Sequence, residues 1–370
     1  MEIKTNINPR VLIWAREERG FSIDEVAKKL KLSSPALRQW ETSGSDIPFG
    51  MLRRLAAEYK RQTAVFFLET VPEKIKKPDD CRNLAGSRET FSPETLLAIR
   101  RTDRYLEIAR NLLGEENSTS QYSWIGTMAD NFNKGNYNDV AEELRVLLQA
   151  TVEEQKKIRG TEESFRYWRN KIEDNLGVFV FQFSMPEDEL DGFSYITDGY
   201  PFAIVVNERK PAVRKVFTLF HEIGHIIKHQ ASVCRTDIST DPQIKIELEC
   251  NKFAGEVLIP EKYLKDVKTL EDISRLARSF NVSSEVYLRR LFDKSMITDK
   301  AFFGLLKEIR EKSKIPPKRK QKGFPSQIIL SKSTRGKKLF DLVTNAAVSN
   351  RISYSVAADV LGLRIKNIGS

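Results

Sequence analysis

The sequence predicts an α+β protein that is mostly helical and has several domains. Apolar residues recur with helical periodicity over most of its 370 residues. Three short segments, 176–184, 192–196 and 202–207, are rich in β-branched and aromatic residues, which predicts a small sheet. Two polar stretches that contain proline, at 71–87 and 314–327, separate the helical blocks and are typical of linkers.

The chain is longer than one ordinary domain, so we expect four parts. These are a helix-turn-helix bundle in 1–70, a linker and helical region in 71–164, a core with the sheet in 165–300, and a basic linker with a helical C-terminal module in 301–370. The basic run at 318–322 is either a nucleic-acid patch or a solvated linker, and its flanking prolines favour the linker.

Composition restricts the class of protein. The hydrophobic fraction of 40% and charged fraction of 30% fit a folded, soluble chain. No apolar run approaches the ~20 residues that cross a bilayer, and the N-terminus lacks the features of a secretion signal. Cys81, Cys234 and Cys250 are scattered, which argues against a disulfide framework and for a cytoplasmic location. The net charge of +10 permits nucleic-acid binding.

Capping signals mark the helix starts in the first part of the chain. Asn8 stands before a proline at the first helical position, and Ser22 and Glu25 have the spacing of a capping box. Ser33 or Ser34 would cap the third helix. Two short helices joined by a tight turn inside an all-helical block are the helix-turn-helix plan.

The third helix, 33–41, would enter the DNA major groove in such a bundle. Ser34, Arg38 and Gln39 are then the candidates for contacts with base edges or phosphates, because arginine and glutamine suit guanine and adenine. The alternative is a protein-interaction domain that does not read DNA, which Pro35 and the few cations on this face favour.

All three histidines of the chain lie within residues 217–230, in the stretch FTLFHEIGHIIKHQ. His221, Glu222 and His225 form an H-E-x-x-H motif. Residues four apart share one face of a helix, so the two imidazoles can present nitrogens to one tetrahedral Zn²⁺. Glu222, next to the first ligand, can accept a proton from a water that the zinc activates. The alternative is a buried helix in which both histidines are hydrogen-bonded and bind no metal. The lack of histidine elsewhere in the chain argues against this alternative.

A zinc site of this kind needs a third protein ligand. His229 lies eight residues beyond His221, which is ~12 Å further along a helix and too far to share the coordination sphere. A carboxylate is better placed: Glu247 is favoured, and Glu249, about 200° around the same helix, is the alternative. With Glu247 as ligand, Asn251 would accept a hydrogen bond from the outer nitrogen of a ligand histidine and fix its tautomer.

The H-E-x-x-H stretch, followed by ELECNKFAGEVLIP, resembles the ImmA/IrrE family of zinc metallopeptidases over roughly residues 165–295. The preceding GFSYITDGYPFAIVVNERKPAVRKVFT is similar to that family's small sheet and its lead into the active-site helix. The resemblance implies a gluzincin-like metallopeptidase domain, with the sheet packed on the H-E-x-x-H helix and Glu222 as the catalytic acid/base. Cys250 departs from the alanine that is usual there. The implied metal ligands are His221, His225 and Glu247.

Residues 10–70 resemble the Xre/Cro-type helix-turn-helix through AREERGFSIDEVAKKLKLSSPALRQWE. The Trp-Glu pair of that type is retained, and the TSGSD loop after it is longer than usual. Members of the peptidase family often carry such a domain. By this resemblance, they cut or otherwise inactivate a repressor and so release genes for mobile-element transfer, stress or damage responses.

Two hypotheses follow for function. The first is a cytoplasmic zinc-dependent endopeptidase that inactivates a regulator protein. Residues 1–70 would bind DNA or dock on a partner, and a palindromic operator would require a homodimer. No membrane partner is expected. The peptidase substrate would bind as an added strand beside 192–196 or 202–207. The second is a DNA-binding transcriptional regulator whose zinc site is structural or sensory. The intact Glu222 favours the first, because a structural site does not need that carboxylate.

Overall fold

In a computed structural model, the protein forms two compact units, 1–101 and 102–370. The described residues are 4–72, 91–114, 122–197, 199–232, 242–313 and 325–368. Most of the linker predicted at 71–87 lies outside these ranges, as do the basic run at 318–322, Cys81 and Cys234.

The first unit is a bundle of short helices, as the capping signals predicted. Asn8 caps the first helix, Ser22 and Glu25 form the capping box of the second, and Ser33 caps the third. A two-stranded antiparallel pair joins the bundle and was not predicted, because strands of two residues show no periodicity. The elements are β1 (Lys4–Thr5), α1 (Pro9–Glu17), α2 (Ile23–Leu30), α3 (Ser34–Ser43), β2 (Ile47–Pro48), α4 (Phe49–Glu58) and a 3-10 turn (Thr63–Phe67).

A buried ion pair holds α1 against α3. Arg16 donates from Nε to one carboxylate oxygen of Glu41 at 2.7 Å and from Nη2 to the other at 3.1 Å. Glu41 is buried, and a bidentate ion pair of this kind fixes the relative orientation of the two side chains as well as the distance between them. Val11 and Leu37, from the same two helices, are fully buried beside it. The position of α3 in the bundle is therefore set by both charge and packing.

The second unit is mostly helical and contains one three-stranded sheet. Its helices before the sheet are α5 (Pro93–Leu113), which begins in the first unit, α6 (Ser123–Asn133), α7 (Tyr137–Leu147), α8 (Val152–Lys157) and α9 (Thr161–Asn175). The strands are β3 (Phe179–Phe183), β4 (Gly192–Thr197) and β5 (Gly199–Asn207). The later helices are α10 (Ala212–Ser232), α11 (Pro242–Leu258), α12 (Leu270–Ser279), α13 (Ser284–Asp293), α14 (Asp299–Ser313), α15 (Gln327–Val348) and α16 (Tyr354–Leu361), with 3-10 turns at Glu261–Tyr263 and Ile365–Asn367.

The strand order of the sheet is β3-β5-β4, with β3 parallel and β4 antiparallel to β5. The predicted segment 202–207 therefore belongs to the middle strand, whose two sides are already hydrogen-bonded to neighbours. The expectation that this segment receives a substrate strand is wrong for that reason. The segment 192–196 lies in β4, an outer strand of the sheet.

The helix α10 carries the H-E-x-x-H motif and is the centre of the second unit. It packs on β4 and β5, on α6 and α9, and on α11. The residues of α10 that face these neighbours are apolar and fully buried, which gives the helix a core position despite its two histidines. They include Leu219, Phe220, Ile223, Ile226 and Ile227.

The long helix α15, which precedes α16, packs on β3 and α9. It is kinked at Gly336, where φ is +81° and ψ is 157°. At the kink, the carboxylate of Glu173 accepts hydrogen bonds from the backbone nitrogens of Lys337 at 2.9 Å and Lys338 at 3.3 Å. Glu173 is fully buried and thus caps the second half of α15 from a neighbouring helix. Among the described residues, no helix is long and apolar enough to cross a membrane.

Candidate metal centre

The two histidines of the motif lie one turn apart on α10 and face α11. Their ring centroids are 4.8 Å apart, and their Nε2 atoms are 3.0 Å apart. Phe217, one turn before His221, has its ring centroid 6.3 Å from that of the imidazole. The side chains of His221 and His225 are 14% and 10% exposed, so both rings are largely shielded from solvent.

Glu247, on α11, completes a cluster with the two histidines. Its Oε2 lies 3.2 Å from Nε2 of His221, and its Oε1 lies 3.2 Å from Nε2 of His225. The three candidate ligand atoms lie within 4.8 Å of one another. Two imidazole nitrogens and one carboxylate oxygen, all directed at one point, are a donor set that fits a catalytic zinc ion with a further coordination position open.

Each histidine has a second partner on α11. Nδ1 of His221 lies 3.1 Å from Oδ1 of Asn251, the residue for which the sequence predicted this contact. His225 forms a hydrogen bond with the thiol of Cys250, which is fully buried. A Cβ atom at Gly224 would lie 3.1 Å from the Cys250 sulfur, so the two helices meet closely here. The contact with Cys250 was missed, because the sequence offered only its position three residues after Glu247.

The alternative ligand, Glu249, is directed elsewhere. Its Oε2 accepts a hydrogen bond from Nζ of Lys228 at 2.8 Å, and the same nitrogen also donates to Asn133 at 3.1 Å. Lys228 lies three residues after His225, on the side of α10 that faces α6 and α11. Within the described residues, the cluster that could hold a metal contains Glu247 and not Glu249.

The charged groups of the cluster stabilise one another. Burial lowers the pKa of His225, but hydrogen bonds with Cys250 and Glu247 outweigh it and raise this pKa to about 12. Burial raises the pKa of Glu247, but hydrogen bonds from His221 and His225 outweigh it and hold the pKa well below its usual range. A metal would replace the proton on His225 and keep the carboxylate ionised.

Glu222 lies next to His221 on α10 and is 5% exposed. Its position beside the cluster matches the predicted acid/base, whose role stays a prediction. The backbone of His229 continues α10, and its side chain lies outside the described residues.

In the first unit, the three predicted DNA-contacting residues lie on α3. Arg38 and Gln39 are exposed. The hydroxyl of Ser34 donates to Oδ1 of Asp24 at 2.6 Å, so this contact between α3 and α2 competes with any contact to DNA. The DNA-binding role of these residues stays a prediction.

Comparisons with known proteins match two separate parts of the chain to protein families. Residues 12–66 match the helix-turn-helix family model, and residues 173–292 match the model of a peptidase family described as the IrrE N-terminal-like domain. The second match contains the three cluster residues and Glu222. No curated protein matches the sequence.

One solved structure that matches is a Mycobacterium tuberculosis transcriptional regulator, at 17% identity and a TM-score of 0.32. The match covers 45% of this chain and 51% of that one, so this chain spans about half the length of the regulator. This likeness is too weak to carry a conclusion. The two family matches show that the chain joins an Xre-type helix-turn-helix domain, at residues 12–66, to an IrrE N-terminal-like domain of a peptidase family, at residues 173–292.

Proposed function

We propose that the protein is a zinc-dependent endopeptidase that cuts or inactivates a regulator protein, in the manner expected of an ImmA/IrrE peptidase acting on a repressor. The observation that carries the proposal is the convergence of His221, His225 and Glu247 beside Glu222. A structural zinc site has no need of the buried carboxylate at Glu222, whereas a hydrolase needs an acid/base there.

The residues that would hold the zinc are His221 and His225 through Nε2, and Glu247 through its carboxylate. When bound, the zinc would act as a Lewis acid on the scissile carbonyl and on the attacking water. Asn251 would hold the ring of His221 in the tautomer that leaves Nε2 available for the metal. The thiol of Cys250 would restrain the ring of His225.

Glu222 would move the protons of the reaction. Its carboxylate would accept a proton from the attacking water as the water adds to the scissile carbonyl. It would then deliver that proton to the amide nitrogen of the leaving group, since C–N cleavage needs a protonated amine. The apolar side chains around α10 lower the local dielectric constant, which strengthens the interaction of Glu222 with developing charge.

The substrate would bind in an extended conformation along β4. This strand lies at one side of the sheet and packs on α10, so a peptide added beside it would run past the cluster. Backbone hydrogen bonds would then hold the scissile bond near His221 and His225, independent of most side chains of the substrate. Pockets for alternate side chains would supply specificity.

The helix-turn-helix domain would bring the peptidase to its target. Arg38 and Gln39, exposed on α3, support contact with DNA, and a palindromic operator would require a homodimer. Docking on a protein partner through the same domain is the alternative. The cytoplasmic location that the scattered cysteines predicted is part of this proposal. The division of the chain into four parts, with the peptidase core at 165–300, also remains a proposal.

The second candidate function is a transcriptional regulator whose zinc is structural or sensory. The match of residues 12–66 to the helix-turn-helix family model favours it, because such a domain can read DNA without any peptidase activity. The two candidates differ in one respect: the second predicts no cleavage by the wild-type protein.

The deciding experiment compares wild-type protein with Glu222→Gln after expression in host cells. New protein N-termini are identified by terminal-peptide mass spectrometry, and the zinc content of each purified protein is measured. We expect at least one cleaved regulator with the wild type, none with Glu222→Gln, and zinc in both. Equal cleavage by both proteins would show that Glu222 is not the acid/base, and no cleavage by either would favour the regulator.

A further inference from the structure

A cavity in the second unit lies away from the histidine cluster. It has a volume of about 470 Å³ and is formed by α9, β3 and α15. None of the cluster residues lines it. Volumes of ~300–1,000 Å³ are typical of sites for small molecules. The cavity is therefore large enough for a metabolite of moderate size.

The lining of this cavity is basic and partly apolar. Its basic residues are Arg166, Arg169, Lys332 and Lys337, whereas Glu162 is its one acidic residue. Phe165 and Ile329 supply apolar surface. Cations beside apolar surface suit a ligand with an anionic group on an apolar body.

Several of these cations can engage a ligand. Within the described part of the chain, Lys332 pairs with no carboxylate, and its Nζ lies 4.6 Å from the ring centroid of Phe340. Arg166 pairs with Glu163, and Lys337 pairs with Asp174 and Asp341, but all these pairs are exposed to solvent. Exposed pairs contribute at most ~1 kcal/mol, so a ligand can replace the carboxylates at little cost.

Arg169 differs from the other cations of the cavity, because its side chain is 6% exposed. It donates from Nη1 to the carbonyl oxygen of Ser333 and from Nη2 to that of Val180. Its Nε lies 3.9 Å from Glu173 and makes no hydrogen bond within the described residues. Arg169 thus fixes the wall of the cavity.

A buried chain of hydrogen bonds connects the cavity to the active-site helix. Nε2 of Gln182, on β3, donates to the hydroxyl of Ser333 at 3.0 Å. Oε1 of the same Gln182 accepts from Nζ of Lys215 at 3.0 Å. Lys215 is on α10, six residues before His221, and is 5% exposed. A ligand that shifts Ser333 would therefore act on the helix that holds the histidines.

We propose that this cavity binds a small organic anion, a carboxylate or phosphate ester with an apolar body, as an effector of the peptidase. Binding draws Lys332 and Arg166 onto the anion and fixes Ser333, and the hydrogen bonds through Gln182 and Lys215 stabilise α10. The regulatory part rests on the proposed function, whereas the binding part stands on the cavity alone.

Binding is tested with anilinonaphthalene sulfonate, a fluorescent aromatic anion, on the full chain. The test variant is Arg166→Gln with Lys332→Gln. The control is Lys300→Gln with Lys307→Gln, two exposed lysines of α14 that remove the same net charge. We expect about one dye per chain, with affinity lowered about tenfold in the test variant and unchanged in the control. Equal affinity in all three proteins, with intact folding by circular dichroism, would overturn the site.

Competition then identifies the anion. Octanoate and adenosine monophosphate are each titrated against the bound dye. Displacement by octanoate assigns a carboxylate ligand, and displacement by adenosine monophosphate assigns a phosphate ester. Displacement by neither would overturn the class of ligand.

The coupling is tested by hydrogen exchange of the α10 amides, with and without the displacing anion at saturation. We expect exchange to slow on the order of threefold in the wild type. Ser333→Ala, which removes the acceptor for Gln182, should bind the anion and lose this effect. Unchanged exchange in the wild type would overturn the coupling. The dye-binding and hydrogen-exchange tests are repeated with Glu222→Gln. The same results in this variant would support the effector site even if the protein proves not to be a peptidase.

Discussion

Nζ of Lys228 lies 2.8 Å from Oε2 of Glu249, and this pair separates the two carboxylates that compete for the metal site. Both partners are largely shielded from solvent, at 19% and 14% side-chain exposure. With Glu249 held by Lys228, the histidines face Glu247. The two glutamates, two residues apart on α11, thus have different partners on α10: the histidines for Glu247 and a lysine for Glu249.

This arrangement predicts opposite results for two matched substitutions. Glu247→Gln should reduce the zinc content of the purified protein to near zero, because an amide is a poor ligand and the ion loses a negative partner. Glu249→Gln should retain about one zinc per chain, since it changes only the contact with Lys228. Atomic absorption of both variants is the measurement. Loss of zinc in Glu249→Gln alone would identify Glu249 as the ligand.

Asn251→Ala should weaken zinc binding without abolishing it. The hydrogen bond to Nδ1 of His221 fixes the ring and its tautomer, and loss of such a partner costs about 10- to 100-fold in metal affinity. Competition with a chromophoric chelator measures the change. Asn251→Asp, which keeps an acceptor oxygen, serves as the control and should bind zinc within about tenfold of the wild type. Wild-type affinity in Asn251→Ala would show that the contact has no role in binding.

Zinc affinity should rise with pH. Without metal, the pKa of His225 is raised to about 12, so this imidazole carries a proton throughout the neutral range. Coordination needs the neutral ring, so the metal must displace that proton, and acid favours the metal-free state. Calorimetry in buffers with different ionisation enthalpies should detect about one proton released per zinc from this residue. An affinity that is constant between about pH 6 and pH 9 would contradict the protonated state.

Gly336→Ala should destabilise the protein strongly. A Cβ atom there would lie 1.9 Å from Oε1 of Glu173, and the φ of +81° is unfavourable for alanine. We expect a loss of about 2–4 kcal/mol in the free energy of unfolding. The control is Gly304→Ala on α14, where a Cβ atom would meet nothing within 4 Å and helix propensity favours alanine by up to ~1 kcal/mol. Urea denaturation distinguishes the two, and equal stability would show that the kink tolerates a side chain.

The sequence by itself determined much of the local structure and identified the residues that form the candidate site. Helical periodicity and capping residues are properties of neighbouring positions, so Asn8, Ser22 and Glu25 could be assigned correctly. The spacing of His221 and His225 likewise follows from the geometry of one helix. For the same reason, the sheet was expected from the β-branched and aromatic residues of its three segments.

The tertiary structure decided what depends on distant parts of the chain. The order of the strands put 202–207 in the middle of the sheet, since hydrogen bonding between strands is not encoded within one segment. Glu249 pairs with Lys228, which lies 21 positions earlier, and the carboxylate of Glu173 lies at the kink of Gly336, 163 positions later. No local pattern in the sequence contains these contacts. Local periodicity fixes which face of an element is buried, but only packing fixes which neighbour covers that face.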